Sequence, residues 1–214
     1  MQSRMRRASF AEGVTAGLFF GTAAIFVRFL QGVNDYSIVF WRSVIGCLAL
    51  LAVIFALKKP FNLGLVIQNF KNLLVLGFFL AVHFTFFVLA VKDTTILNAT
   101  VLVNTTPFFS VLVSSFIFRS SPSRTQFVGL SASFVGVCMI AVAAGGSANS
   151  GGFSPSLKGD VEALLAAVVE SLYLSLGRTI RRQMNIFSLM VPIYALTAIV
   201  VSALSLFGGG LVGC

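Results

Sequence analysis

Charge is what this sequence has least of. Only 10% of its 214 residues are Asp, Glu, Lys or Arg, against roughly 25% in an ordinary soluble domain, and acidic side chains are rarer than basic ones, six against fifteen. The hydrophobic share is 57% and the mean hydropathy +0.99. A soluble fold of this length has too much surface relative to its core to hide that much apolar area. One His and three Cys leave no pair with metal-ligand spacing and no disulfide framework. Cys47, Cys138 and Cys214 read as small apolar side chains, two of them inside hydrophobic runs. No cofactor and no metal are expected.

What the chain does have is long apolar runs. Crossing about 30 Å of hydrocarbon takes about 20 apolar residues at 1.5 Å each. Residues 94–118, 125–144 and 186–207 meet that without a charge, and residues 13–27, 36–57, 72–91 and 161–176 meet it with one or two polar interruptions. The expected fold is an all-α integral membrane protein with about seven transmembrane helices in a lipid bilayer. The basic residues fall on alternate connections. Arg4, Arg6, Arg7, Lys58, Lys59, Lys71, Arg119, Arg124, Arg178, Arg181 and Arg182 collect on one side, while Lys92 and Lys158 lie on the other. Cytoplasmic loops gather Lys and Arg, so the amino terminus is expected in the cytoplasm and Cys214 outside. The same placement explains the net charge of +9 without a nucleic-acid partner. The basic start followed by an apolar stretch lacks a clear cleavage site and reads as a retained first helix.

One connection stands apart. Residues 145–158, GGSANSGGFSPSLK, form a Gly/Ser-rich linker. On either side of it one helix occurs twice: a single shift brings Glu12 onto Glu162, Gly13 onto Ala163, Gly17 onto Ala167, Gly21 onto Ser171 and Arg28 onto Arg178. An odd number of spans separates the copies, so they should cross in opposite directions, as in inverted-repeat transporters with a midplane site. The expected division is a first five-helix repeat over 11–144, the linker over 145–158, the first two helices of an inverted repeat over 159–207, and a tail over 208–214. Gly13, Gly17 and Gly21, like Ala163, Ala167 and Ser171, recur every fourth residue and are expected to bring a neighbouring backbone close.

Several stretches resemble the EamA-like domain of the drug/metabolite transporter superfamily. The strongest is AVKDTTILNATVLVNTTPFFSVLVSSFIF followed by FVGLSASFVGV, with Asn98, Pro107, Phe108, Gly129 and Gly136 at the family's motif positions. FGTAAIFVR, FWRS with Arg42, and GDVEALLAAVVESLYLSLGR add to it. The chain departs from the family at Arg119 and Ser120, where a Gly-Glu pair is common, and at Glu170, where Trp is common. The resemblance implies a membrane carrier of small organic solutes, most often an exporter. A typical member has ten spans in two repeats, so this chain is expected to be a fragment or truncated product, or to be completed by a second copy or by the missing second-half helices.

Glu170 lies mid-span, where a carboxylate costs roughly 2.5 to 3.5 kcal/mol on insertion scales, and is expected to face a cavity as a proton-coupling group or a counter-charge. His83 is similarly central, either hydrogen-bonded structurally or part of the pathway. Arg42 either snorkels outward or holds a solute carboxylate. Asn98, Asn104, Thr105, Thr106 and Pro107 make a polar, proline-broken segment, with Asn104 expected to bind solute and Pro107 to act as a hinge. Tyr194 adds a hydroxyl to the same cavity or fills space. The expected function is a non-enzymatic secondary transporter of a small metabolite, amino acid or drug-like solute, with protons as coupling ion. A seven-span receptor would need an outside amino terminus, and a retinal protein a Lys in the last span. An intramembrane enzyme would need paired catalytic groups at depth, for which only Glu170 with His83 qualify. A truncated, non-transporting membrane protein is the remaining alternative.

Overall fold

A computed structural model describes residues 2–118, 123–145 and 155–207. Every regular element in them is an α-helix: α1 (Gln2–Phe29), α2 (Asp35–Leu57), α3 (Leu63–Gln68), α4 (Phe70–Asp93), α5 (Ile96–Val103), α6 (Thr106–Phe118), α7 (Arg124–Gly145), α8 (Leu157–Gln183) and α9 (Ile186–Phe207). Arg119, Ser120, most of the expected linker and the expected tail lie outside the described residues.

Asp35–Leu57, Phe70–Asp93, Ile96–Phe116, Leu157–Gln183 and Ile186–Leu206 are long and apolar enough to cross a membrane, and Gly13–Phe29 adds a shorter apolar stretch. Phe19, Phe55 and Phe116 are more than 70% exposed, a surface that suits hydrocarbon and not water. The protein is an all-α, multi-pass membrane protein. Side-chain caps mark the helix starts: Asn34 Oδ1 accepts from Tyr36 N at 2.9 Å, Asn62 Oδ1 from Leu65 N at 3.1 Å and Thr95 Oγ1 from Asn98 N at 3.1 Å. Ser156 is the N-cap of α8, so Lys158, the last residue of the expected linker, belongs to that helix. The short α3 was not expected; its Asn62 also donates its backbone N–H to Ser188 Oγ at 2.7 Å, tying it to the start of α9.

Helix α4 is the central post, packed by α8, α9, α2, α1 and α5 and buried along Leu73, Leu76, Ala81, Phe87, Val88 and Val91. Close helix approach does occur at glycines, but not at the expected ones. A Cβ on Gly77 would lie 2.8 Å from Leu196 Cβ, and one on Gly159 would lie 2.6 Å from the backbone nitrogen of Thr94. Around Gly13, Gly17 and Gly21 a Cβ would meet nothing within 4 Å. That corrects the expectation for the first stripe: α1 packs mainly on α4 and α5, and among the described residues no backbone approaches its glycines. Ala163, Ala167 and Ser171, in contrast, are fully buried.

The two ends of the bundle differ. At one end Arg28 donates to the carbonyls of Lys92 at 3.0 Å and Thr94 at 2.6 Å, Thr94 Oγ1 donates to Asp160 at 2.8 Å, and Lys92 pairs with Asp35 at 2.6 Å and Lys158 with Asp93 at 2.7 Å. The C-terminal end of α1 therefore meets the N-terminal end of α8, so these helices run in opposite directions. Lys92 and Asp93 thereby bind three segments together. The opposite end carries Arg178, Arg181 and Arg182 on α8 and, through the Asn62–Ser188 tie, the α2–α4 connection with Lys58 and Lys59.

Candidate functional site

The span formed by α5 and α6 breaks at Asn104 and Thr105, and the break follows from one residue. Pro107 has no N–H to offer the carbonyl of Val103, and its ring disfavours helical geometry before it. Side-chain donors gather on the carbonyls around the break: Val103 O, freed by Pro107, and Leu102 O and Thr100 O, which also accept the N–H of Thr105 and of Asn104. Thr105 Oγ1 donates to Leu102 O at 2.6 Å, Asn104 Nδ2 to Thr100 O at 2.7 Å, and Thr106 Oγ1 lies 2.7 Å from Val103 O.

Thr106 Oγ1 also lies 2.8 Å from Glu170 Oε2 on α8. A hydroxyl has one proton, and a carbonyl can only accept. When Glu170 is ionised, that proton must choose between the carboxylate and Val103. When Glu170 is protonated, its O–H donates to Thr106 and the Thr106 proton is released to Val103. The charge of Glu170 is thereby linked to the hydrogen bonding of the broken helix. Thr106→Val is expected to lower stability by about 1 to 3 kcal/mol, leaving a polar group unmatched, while Thr106→Ser stays near wild type. Thermal unfolding in detergent measures both, and equal stability of wild type and Thr106→Val would remove Thr106 from this role.

Val103, Asn104, Thr106 and Pro107 of the broken span, Glu170 and Leu174 of α8, and Gly17 and Phe20 of α1 line a cavity of about 420 Å³. That volume suits a small organic molecule. Glycine at position 17 leaves the cavity wall flat, which gives the first stripe a use other than packing.

His83 is buried, with Nδ1 2.9 Å from the carbonyl of Ala166. Because a carbonyl only accepts, Nδ1 carries the proton and Nε2 is the nitrogen that titrates. Ala166 and Glu170 are one turn apart on α8, and His83 lies within electrostatic reach of both Glu170 and Arg42. The Arg42 guanidinium sits 4.1 Å over the Phe84 ring and 5.7 Å from the Phe87 centroid. Its Nη1 is buried without a hydrogen-bond partner. Arg42 also borders an apolar groove of about 430 Å³ between α1 and α2. Tyr194 packs its ring 6.4 Å from that of Phe84 and 3.1 Å from where a Cβ on Gly46 would be.

The expected residues thus form two groups. Glu170, Asn104 and Pro107 share one cavity; Arg42 and Tyr194 gather around Phe84, and His83 stands between. Two participants escaped sequence reasoning. Thr106 was visible as a hydroxyl beside a helix-breaking Pro, and the Phe84/Phe87 platform as two aromatics three residues apart following His83.

Comparison with known proteins follows the same lines. The model of the EamA-like transporter family matches residues 10–142. A protein of Bacillus subtilis (strain 168), named uncharacterized transporter YdfC, is 30% identical over 148 residues, which cover 67% of this chain and 44% of that protein. The chain therefore spans less than half the length of this relative. No solved structure matches it.

Proposed function

The chain belongs to the EamA-like transporter family, and on that premise we propose that it moves a small organic metabolite, amino acid or drug-like solute across the cytoplasmic membrane. Export by alternating access is the proposed mode, with the antiparallel α1 and α8 as matching helices of inverted repeats. The amino terminus is placed in the cytoplasm. Supporting that orientation, the Arg28 end balances Arg28, Lys92 and Lys158 against Asp35, Asp93, Asp160 and Glu162, while the opposite end gathers Lys58, Lys59, Arg178, Arg181 and Arg182.

The observation that carries the proposal is the Thr106 hydroxyl placed between Glu170 and the hinge carbonyl of Val103, beside a cavity of solute size. Solute enters against Asn104 and Glu170, protonation of Glu170 resets the hydrogen bonding at Pro107, and the α5–α6 break absorbs the change in helix angle. His83 and Arg42 set the electrostatic surroundings from behind.

Gly17→Leu tests the cavity directly. Nothing lies within 4 Å of the new Cβ, so folding is preserved while the side chain fills the space. Reconstituted in liposomes, the wild-type chain is expected to move at least one solute from a panel of amino acids and cationic dyes, and Gly17→Leu to reduce it to background. Undiminished movement by Gly17→Leu would place the pathway elsewhere, and no movement by the wild type would refute transport by this chain.

A further inference from the structure

A second cavity, of about 350 Å³, lies between α6 and α8 and is lined by Ser110, Leu174, Ser175, Arg178 and Arg181. Leu174 borders both this cavity and the one at Glu170, so the two follow each other along one seam toward the basic end. Their chemistry differs. The second is walled by two guanidinium side chains three residues apart on one helix face and by hydroxyls, with no carboxylate among its described lining residues.

Three details point to an occupant. Ser110 Oγ is buried with no hydrogen-bond partner, although buried hydroxyls in folded proteins are nearly always matched. Ser175 is buried and its hydroxyl has only a long 3.5 Å approach to Ser114. Arg181 is held in place, with its guanidinium 5.2 Å from the centroid of the Tyr173 ring, and is therefore preorganised. The planar guanidinium fork of each arginine matches tetrahedral oxyanions.

We propose that this cleft binds a phosphate group, held by the guanidinium groups of Arg178 and Arg181 and by a hydrogen bond from Ser110 Oγ. Basic clefts between transmembrane helices suit the phosphate of an anionic lipid headgroup, and a free phosphate offers the same oxygens. The assignment stands whether or not the chain transports a solute.

The test uses the purified full chain and follows thermal unfolding in two arms. In detergent, inorganic phosphate is titrated against chloride at equal ionic strength. In nanodiscs, phosphatidylglycerol is compared with phosphatidylcholine. Stabilisation by phosphate in the first arm assigns a soluble source, and stabilisation by phosphatidylglycerol alone assigns the headgroup; either supports the site. The Arg178→Gln, Arg181→Gln double variant is expected to weaken the effect by about tenfold or more. Ser110→Ala is expected to weaken it about threefold while leaving the ligand-free melting temperature unchanged. No stabilisation in either arm, or stabilisation that persists in both variants, would overturn the proposal.

Discussion

Glu170→Gln is expected to abolish solute accumulation driven by a pH gradient while leaving the protein folded and solute-for-solute exchange intact. A glutamine has nearly the shape of a protonated glutamic acid and always donates from its amide, so Thr106 would keep its proton on Val103 O permanently. The broken helix would then be held in the state that wild type reaches only when Glu170 binds a proton. Stability should not fall, because the substitution removes a carboxylate whose burial at membrane depth costs about 2.5 to 3.5 kcal/mol. The titratable or charged groups facing Glu170 are His83 from α4, with Arg42 of α2 behind it, and Tyr173 on its own helix. Each remains in the variant, so a loss of pH response reports on Glu170. Accumulation and exchange are measured on the same vesicles. Loss of both would make Glu170 a solute-binding group without a coupling role, and loss of neither would exclude it from the pathway.

Gly159→Val is expected to have the largest effect on folding. Even the first carbon of a side chain there would come within 2.6 Å of Thr94 N and 2.8 Å of Asp93 C, and backbone cannot rotate away as a side chain can. The strain falls where Arg28, Thr94 and Asp160 tie α1, α4 and α8 together. Overpacking typically costs 1 to 3 kcal/mol, so about 3 kcal/mol is expected for Gly159→Val, with a smaller loss for Gly77→Ala, which adds a single carbon and meets one atom closer than 3 Å, Leu196 Cβ at 2.8 Å. Gly13→Ala and Gly21→Ala should change stability by no more than about 0.5 kcal/mol. A thermal-unfolding series in one detergent ranks all four. Equal losses at Gly13 and Gly159 would mean that α1 packs through its glycine stripe after all.

The hydrophobic runs made the spans legible, because hydrocarbon imposes length and polarity on a helix regardless of its partners. The break near residue 104 was legible too, since proline acts locally through its missing N–H. Which glycines meet a neighbouring backbone was not legible. Gly13, Gly17 and Gly21 form the better pattern, yet contact depends on which face of α1 meets α4, and spacing alone does not encode that. Gly159 extends the Ala163, Ala167, Ser171 spacing by one step and is the most crowded of the described glycines, yet only the second copy of the stripe meets a backbone. Glu170, His83 and Asn104 were conspicuous as polar groups at depth. Their division into a Glu170 cavity and an Arg42–Tyr194 cluster around Phe84 is a tertiary fact. Thr106, one of five polar residues in its segment, could be singled out only by its distance to Glu170.

The proton link between Glu170 and the Pro107 break is tested most directly by infrared difference spectroscopy of the purified chain across a pH titration. A protonated-carboxyl C=O band that appears on acidification together with an amide shift, with both absent from Glu170→Gln, is the expected result. A carboxyl band that persists unchanged in Glu170→Gln, or one that titrates with no accompanying amide change, would contradict it.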